Sequence, residues 1–510
     1  MRVSTAALVR AVLATSAAIG LAGCSQSVME PTPARLSVKV SEPVMVGSGI
    51  SPFEDMCGQL SDGFTFIKDE ETDPRLAVNP NNPDEMTVAF MRDPILAVSA
   101  AYTQDGGKTW QESEPPEHSP CTGTDYNAYG DQDIDTDASG RLYLAHTQGN
   151  FLPEGQPMDA TMDAWMDSKV VAAVSEDGGK TWSKPLELSP MGEYQHMVLV
   201  AADKQREGHA VVLWAVGENP SVLEHMSPHL EDKYVYIAKT SDGGKSWSKP
   251  EKVMEGFGAL DLVQFSDGQL LAVGPNTQEK MDWFLNAGLV GAIDNKQGDW
   301  SQPFELPLIS NTGVFNHPEG DTVMAIDVPV TVGSDDRLYQ IASRFERSTI
   351  CSMLDLTLAT SVGWCGSPQK EQGQLLFSAS ADRGVSWSEA AAITAVKGPI
   401  WNASIAVTDK GTLGAFWYDS RDDIPDDGQI TSRAMFAVST DGGNSWKEVP
   451  LSESFDMKQA PTPHQPLYMG NYVEVKALSS NSFGVAYPVA APLNKHGRSD
   501  MHFNRITVEQ

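Results

Sequence analysis

TQDGGKTW, residues 103–110, decides how this chain is read, because close copies return as SEDGGKTW from Ser175, TSDGGKSW from Thr240, SADRGVSW from Ser380 and STDGGNSW from Ser439. A tight turn between strands needs positive φ, which Gly adopts cheaply, and a local acceptor for its own amides. Asp105, Asp177, Asp242, Asp382 and Asp441 stand at that acceptor position. The hydroxyl at the seventh place (Thr109, Thr181, Ser246, Ser386, Ser445) bonds backbone or carboxylate, and the closing Trp110, Trp182, Trp247, Trp387 or Trp446 lays a large apolar surface on the sheet. Asp-Gly between alternating apolar residues is a hairpin signal, so each box reads as a structural clasp rather than a metal or substrate site.

Upstream of the clasps lie apolar strands such as KVVAAVS, KYVYIAKT, QLLFSAS and RAMFAVS. Before each comes a pair of strands joined by a polar turn, as in RLAVNPNNPDEMTVAF and NASIAVTDKGTLGAFWY. A repeat of this length settles architecture before any other feature. Strand, turn, strand, connection, strand, clasp, strand is a four-stranded antiparallel propeller blade, and a ring of blades removes most exposed sheet edges. The expected fold is an all-β propeller. Five units carry clear boxes; GLVGAIDNKQGDWSQP supplies a sixth with a degenerate turn. NYVEVKAL, SFGVAYP and MHFNRITV give three more strands, which the early RLSVKV completes, so the count favours seven blades over six.

The chain opens MRVSTAALVRAVLATSAAIGLAGCSQS, with Arg2 and Arg10 flanking a small-residue apolar run that ends Leu-Ala-Gly-Cys. That order is a secretory signal, too short to span a membrane as a mature helix. LAGC resembles a bacterial lipoprotein cleavage box, which implies lipid on Cys24 and a place in the cell envelope, at the outer membrane or cell surface. The expected organisation is therefore a signal over 1–23, a tether over 24–40 and a propeller over 41–510. Cys57, Cys121, Cys351 and Cys365 form an even set in an exported chain, which suggests disulfides; Cys351 and Cys365 lie close and pair, leaving Cys57 with Cys121. The formal net charge is −32, and removing the signal's two arginines makes it −34. Such a surface repels nucleic acid and anionic membrane, so contact with a membrane is expected only through the lipid, and the chain is read as a monomer.

Clasps join the third strand to the fourth and share a face with the turns between strands one and two. The opposite, clasp-free face collects the starts of first strands and the ends of second strands. There the sequence gathers Asp73, Arg75, Arg92 and Asp93; Asp131 with His146; Gln195 and His196; Glu319 and Asp321 with Arg344 and Glu346; Tyr418, Asp419 and Arg421; Asn471 and Tyr472.

The five boxes resemble the Asp-box, or BNR, repeats of sialidases and their relatives, over nearly the whole mature chain. The boxes are specific for that superfamily's propeller and not for its activity. The resemblance implies an extracellular glycan as partner, and possible exo-glycosidase action on sialic-acid-type sugars or a non-catalytic binding role. It also implies three arginines on the substrate carboxylate, a tyrosine nucleophile activated by a glutamate, and an aspartate acid/base. Guanidinium forks suit a planar carboxylate better than Lys. PRLAV followed by FMRD is similar to the family's first blade and maps to Arg75, Arg92 and Asp93, although the family writes Arg-x-Pro and here the Pro precedes the Arg. Arg344 or Arg421 would complete the triad, Tyr418 or Tyr472 would be the nucleophile, and Glu319 or Glu346 its partner.

No cofactor is implied. DQDIDTDASG sets Asp131, Asp133, Asp135 and Asp137 on one strand face by a period of two, and DSRDDIPDDG groups Asp419, Asp422, Asp423, Asp426 and Asp427 in one loop. Both offer oxygen ligands of the kind Ca²⁺ takes, but neither has the spacing of a calcium loop, and they read as solvated acidic segments. His146, His196 and His317 read as strand-end hydrogen bonders rather than zinc ligands.

Overall fold

The second strands of the repeat units are buried along both faces, as the unbroken burial of Met86–Arg92, Leu142–Gly149 and Leu413–Asp419 shows. A strand buried on two faces lies between two other layers, and here the layers are neighbouring blades. The computed structural model describes residues 36–509 apart from 54–68, 94–95, 123, 125, 127, 150–167, 191, 193, 218–231, 256–257, 259, 276–286, 297–298, 311–312, 317–321, 326–328, 346–371, 425–426, 461–466 and 495–496.

Seven antiparallel sheets follow one another around a ring. Blade 1 runs Glu71–Val78, Met86–Arg92, Ala97–Thr103, Gln111–Ser113; blade 2 runs Ala128–Thr136, Leu142–Gly149, Ser168–Ser175, Leu186–Glu187. Blade 3 is Tyr194–Ala202, Ala210–Gly217, Asp232–Thr240, Glu251–Glu255, and blade 4 is Asp261–Gln264, Leu270–Pro275, Ala287–Ile293, Phe304–Ser310. Blade 5 is Val330–Val332, Leu338–Phe345, Gln372–Ser380, Ala391–Lys397, and blade 6 is Ile400–Val407, Leu413–Asp419, Thr431–Ser439, Lys447–Pro450. Blade 7 takes Glu474–Ser479, Ser482–Asn494 and Gly497–Glu509 from the end of the chain and its outer strand, Ser37–Val40, from the beginning. RLSVKV thus closes the ring, and the propeller starts a few residues before the boundary expected at 41.

Apolar layers between blades make the core. Ile341, Leu375 and Phe377 of blade 5 pack with Ala415, Trp417 and Met435 of blade 6, and Tyr143 and Val170 of blade 2 pack with Val212 and Trp214 of blade 3. Cys121 packs beside Phe53 and Leu96 and is disulfide-bonded; Cys24, Cys57, Cys351 and Cys365 lie outside the described residues.

The clasps sit between the third and fourth strands, and their chemistry repeats. Thr109 donates its amide (3.0 Å) and hydroxyl (2.6 Å) to Asp105, and the Asp105 carboxylate also accepts from the Thr103 hydroxyl at 2.8 Å. Hydroxyl-to-carboxylate bonds of 2.5 to 2.6 Å recur at Asp177, Asp242, Asp382 and Asp441. The Thr109 hydroxyl bond is the main reason the Asp105 carboxyl is pulled down to about 2, because a hydrogen bond to the charged form favours it. Each clasp also reaches the preceding blade: Trp110 meets Phe503 edge-on at 5.2 Å, Trp446 meets Phe377 at 5.4 Å, and the Trp182 indole donates to Ser113 at 3.1 Å. The repeated box is therefore an inter-blade fastener as well as a turn.

Blade 4 shows what a weak box requires. Its turn closes through Asn295 N donating to Asp299 O at 2.8 Å, without the Asp-to-hydroxyl bond. Blade 5 compensates: Arg383, standing where other boxes have the first Gly, reaches back to Asp267 at 3.0 Å and Gln269 at 2.6 Å and lies over the Phe265 ring at 4.6 Å.

Candidate functional site

The inner strand of every blade is a sheet edge whose free N–H groups face the ring axis, and buried N–H groups require partners. In this ring the side chains of one blade's inner strand supply acceptors for the next. Val200 N donates to Asp133 Oδ2 at 2.7 Å and Ala202 N to Asp135 Oδ2 at 3.0 Å, from blade 3 to blade 2. Val330 N donates to Asp261 at 3.1 Å, Val475 N to Ser404 Oγ at 3.1 Å, and Leu76 N to Glu474 at 3.0 Å.

This arrangement corrects the reading of DQDIDTDASG as a solvated stretch with one acidic face. Asp131 is left-handed (φ 48°) at a register shift between Gly130 and Asp133, so the period of two breaks there. Asp133 and Asp135 cap the neighbouring blade, while Asp137 accepts from the Ser139 amide at 2.8 Å, the Tyr143 hydroxyl at 2.9 Å and the Gly208 amide at 2.7 Å. The same bulge recurs at Asp73 (φ 53°), Met197 (φ 52°) and Asn402 (φ 49°) in the inner strands of blades 1, 3 and 6. In DSRDDIPDDG, Asp419 accepts from the Trp417 indole at 2.8 Å, and Asp423 from Thr431 N at 2.8 Å; Asp426 lies outside the described residues. Among the described residues no group of His, Cys, Asp and Glu is arranged to hold a metal ion.

Just after the first of these bulges stands Arg75. Its side chain is 4% exposed, and its guanidinium lies 3.9 Å above the Tyr472 ring, a cation–π stack. Asp133 Oδ1 stands 3.7 Å from Nε, beyond hydrogen-bond reach, and the buried Nε has no hydrogen-bond partner. Burial works against the Arg75 charge, but Asp133, Glu474 and Asp261 outweigh it and hold the guanidinium protonated. Burial also pushes the Asp133 carboxyl up to about 7 and that of Asp261 up to about 6, against the pull of Arg75. Tyr472 donates its hydroxyl to Gln132 O at 3.3 Å, and the Gln132 amide donates to Asp73 O at 2.5 Å. Asn471 N in turn donates to Asp73 Oδ1 at 2.5 Å. The clasp-free end of the inner strands thus carries a stitched polar layer in which the buried Arg75 Nε is left without a hydrogen-bond partner.

The remaining candidates do not join it. Arg92 is fully buried; it donates to Ile50 O at 2.8 Å, Glu71 at 2.9 Å and Glu112 at 2.7 Å, which fastens the segment around Ile50 to blade 1. Asp93 is a buried left-handed turn residue (φ 47°) that accepts from Glu70 N at 3.3 Å. Arg421 is forked onto Asp419 at 2.7 to 2.9 Å and also holds Glu448 at 2.9 Å. Tyr418 is sealed in the core, stacked on Trp401 and donating to Pro488 O at 2.6 Å, with burial raising its hydroxyl pKa further. Arg344 is exposed at the end of a second strand; Glu346, Glu319, Asp321 and His317 lie outside the described residues. Of the eight residues expected to form the site, Arg75 and Tyr472 alone are brought into contact among those described. The expected convergence of Arg92 and Arg421 on it gives way to ion pairs with nearer carboxylates. His146 is buried and faces Thr147 O at 3.0 Å, its pKa lowered by burial to about 4, and Gln195 donates to Ser168 O at 2.7 Å.

Sequence reasoning missed Asp261, Glu474 and Lys476. A usable signal was present: in VEVKAL and DLVQF, charged or polar residues interrupt strands that otherwise read as buried.

The BNR/Asp-box repeat family model matches residues 101–112, the first clasp. No curated protein matches the chain. Among solved structures, a Penicillium chrysogenum α-L-arabinanase complexed with arabinobiose is 12% identical, covers 91% of this chain and 98% of its own, and has a TM-score of 0.40. An ulvan lyase is 11% identical at a TM-score of 0.48, covering 86% of this chain and 94% of its own. A Hadza microbial sialidase is 12% identical at a TM-score of 0.39, with 84% and 75% covered. The ring of seven sheets and the repeat match make the chain a seven-bladed β-propeller whose first clasp matches the BNR/Asp-box repeat and whose other four clasps repeat that pattern.

Proposed function

We propose that the protein recognises an acidic glycan at the clasp-free mouth of its channel, with Arg75 anchoring the sugar's carboxylate. The observation that carries this reading is the buried Arg75 guanidinium, stacked on Tyr472 with its Nε unpaired. A guanidinium in that state has donors to offer a planar anion, and removing water from the site strengthens the contact. Asp133, the nearest carboxylate, stands 3.7 Å from Nε and outside hydrogen-bond reach, so it leaves that donor open. The strand ends that flank residues 150–167, 218–231, 276–286 and 346–371 lie on this same face, whereas the turns on the clasp face are short. Long connections on a rigid scaffold are where binding residues concentrate.

Hydrolysis of sialic-acid-type sugars is the second reading, supported by the match of Arg75 to the first arginine of sialidases. Against it, both tyrosine hydroxyls are given to backbone carbonyls, Tyr418 to Pro488 and Tyr472 to Gln132, rather than to a carboxylate base. The test is a screen of sialylated and uronate glycans, with an aryl sialoside for turnover, on the chain from Cys24 onward. Arg75→Ala should weaken binding by about tenfold or more, as the loss of a buried charged donor does, when compared with wild type at matched folded fraction. A protein that binds no acidic glycan, or a variant that binds as well as wild type, would sink the reading. Release of sugar from the aryl sialoside would move it to the enzyme.

Export and anchoring through lipid on Cys24 belong to the same proposal. A Cys24→Ala protein should take up no labelled palmitate and should leave the membrane fraction, since acyl chains supply the anchoring energy. Persistent labelling would overturn the anchor.

A further inference from the structure

On the clasp face lies a cavity of about 260 Å³ that neither Arg75 nor Tyr472 lines. Val78, Pro80 and Pro83 of blade 1 and Leu478 of blade 7 give it an apolar wall. Its polar lining is Asn79, Asp135, Lys204 and Lys476, two cations against one carboxylate among the lining residues, with Glu474 paired to Lys476 just outside it.

The two ammonium groups differ. Lys204 spends its donors on Asp135, on Thr136 O at 2.5 Å and on the Thr136 hydroxyl at 3.5 Å. An ammonium has three N–H bonds, so this one is saturated. Lys476 pairs with Glu474 Oε1 at 2.5 Å. Its side chain is still 36% exposed although it stands on an inner strand, and it lines the cavity. Burial works against its charge, but Glu474, Asp135 and Asp133 outweigh it and keep the group protonated.

We infer that this cavity binds a small monocarboxylate with an apolar tail, its carboxylate on the Lys476 ammonium and its tail against Val78, Pro80, Pro83 and Leu478. One cation with spare donors suits a single negative charge. Phosphate or sulfate as a dianion needs several donors, which Lys204 cannot add. The apolar wall selects for a hydrocarbon tail, whose removal from water is favourable.

The probe is 4-methylpentanoate, titrated by calorimetry into the folded chain beside its uncharged amide, 4-methylpentanamide. Wild type should bind the acid saturably at millimolar concentration and the amide not at all. Lys476→Met should weaken binding by about tenfold or more, a typical loss for a charged hydrogen bond. Ala477→Phe, which fills the cavity and keeps Lys476, should abolish it; this variant decides the matter if Lys476→Met fails to fold. No saturable binding, equal binding of acid and amide, preference for inorganic phosphate, or indifference to both variants would overturn the inference.

Discussion

Replacing Arg92 by alanine is expected to destabilise the protein by about 3–5 kcal/mol, the usual loss when one partner of a buried ion pair is removed. The guanidinium joins Glu71 and Glu112 beneath the segment around Ile50, and both Arg92 and Glu71 are sealed from solvent. Glu71 also accepts from Met501 N at 2.9 Å, so the cluster ties blade 1 to blade 7, where the two ends of the chain meet. Without Arg92 the Glu71 carboxylate is buried with no counter-charge. Burial already pushes its pKa up to about 7 from the ordinary carboxylate value near 4.5. A carboxyl whose folded pKa is raised binds its proton more tightly in the native state, so its penalty is absent below about pH 4.5 and grows as pH rises through 7. The deficit of Arg92→Ala should accordingly be larger at pH 8 than at pH 5, and Glu71→Gln placed on top should recover part of it. Denaturant unfolding at the two pH values measures both effects. A loss under about 1 kcal/mol, the range of exposed pairs, would show that the cluster is dispensable. A selective loss of glycan binding at full folded fraction would return Arg92 to the site.

What the sequence disclosed and what it hid follow from how local each interaction is. The clasps are legible because acceptor, glycines, hydroxyl and Trp fall within eight residues, and the blade period follows from their spacing. Ring closure by RLSVKV is legible because the last unit lacks one strand. The site is harder to read. Arg75 and Arg92 both appear at strand ends on the clasp-free face, but the fate of each is set by residues far away in the chain. Glu112 and Ile50 claim Arg92, whereas Tyr472 lies under Arg75. Arg421 is lost to a carboxylate two positions earlier, a contact that a salt-bridge count from sequence cannot distinguish from an open guanidinium. The acidic run was misread for another reason: the bulge at Asp131 rotates the strand, and no pattern of residue types announces a left-handed Asp.

Gly443→Ala is expected to cost several kcal/mol, and Gly442→Ala, one residue earlier in the same clasp, only about 1 kcal/mol, the usual strain of a left-handed L-residue. Both glycines have positive φ, 74° at Gly442 and 93° at Gly443, so the backbone penalty is shared. Their surroundings are not. A methyl group on Gly442 meets nothing within 4 Å, while one on Gly443 runs into the Phe377 ring of the preceding blade. Phe377 is held between Trp446 at 5.4 Å and Tyr339 at 6.2 Å in the layer between blades 5 and 6, so it has little room to withdraw. Overpacking a tight layer typically costs about 1–3 kcal/mol beyond the strain itself. Arg383 supports the distinction: the box of blade 5 carries a non-glycine residue at φ 58° in the first place, but keeps Gly384 in the second, where a methyl would stand 2.9 Å from Phe304. Denaturant unfolding of the two alanine variants side by side makes the comparison. Equal losses would mean that the box acts as a turn alone and that its contact with the neighbouring blade contributes nothing.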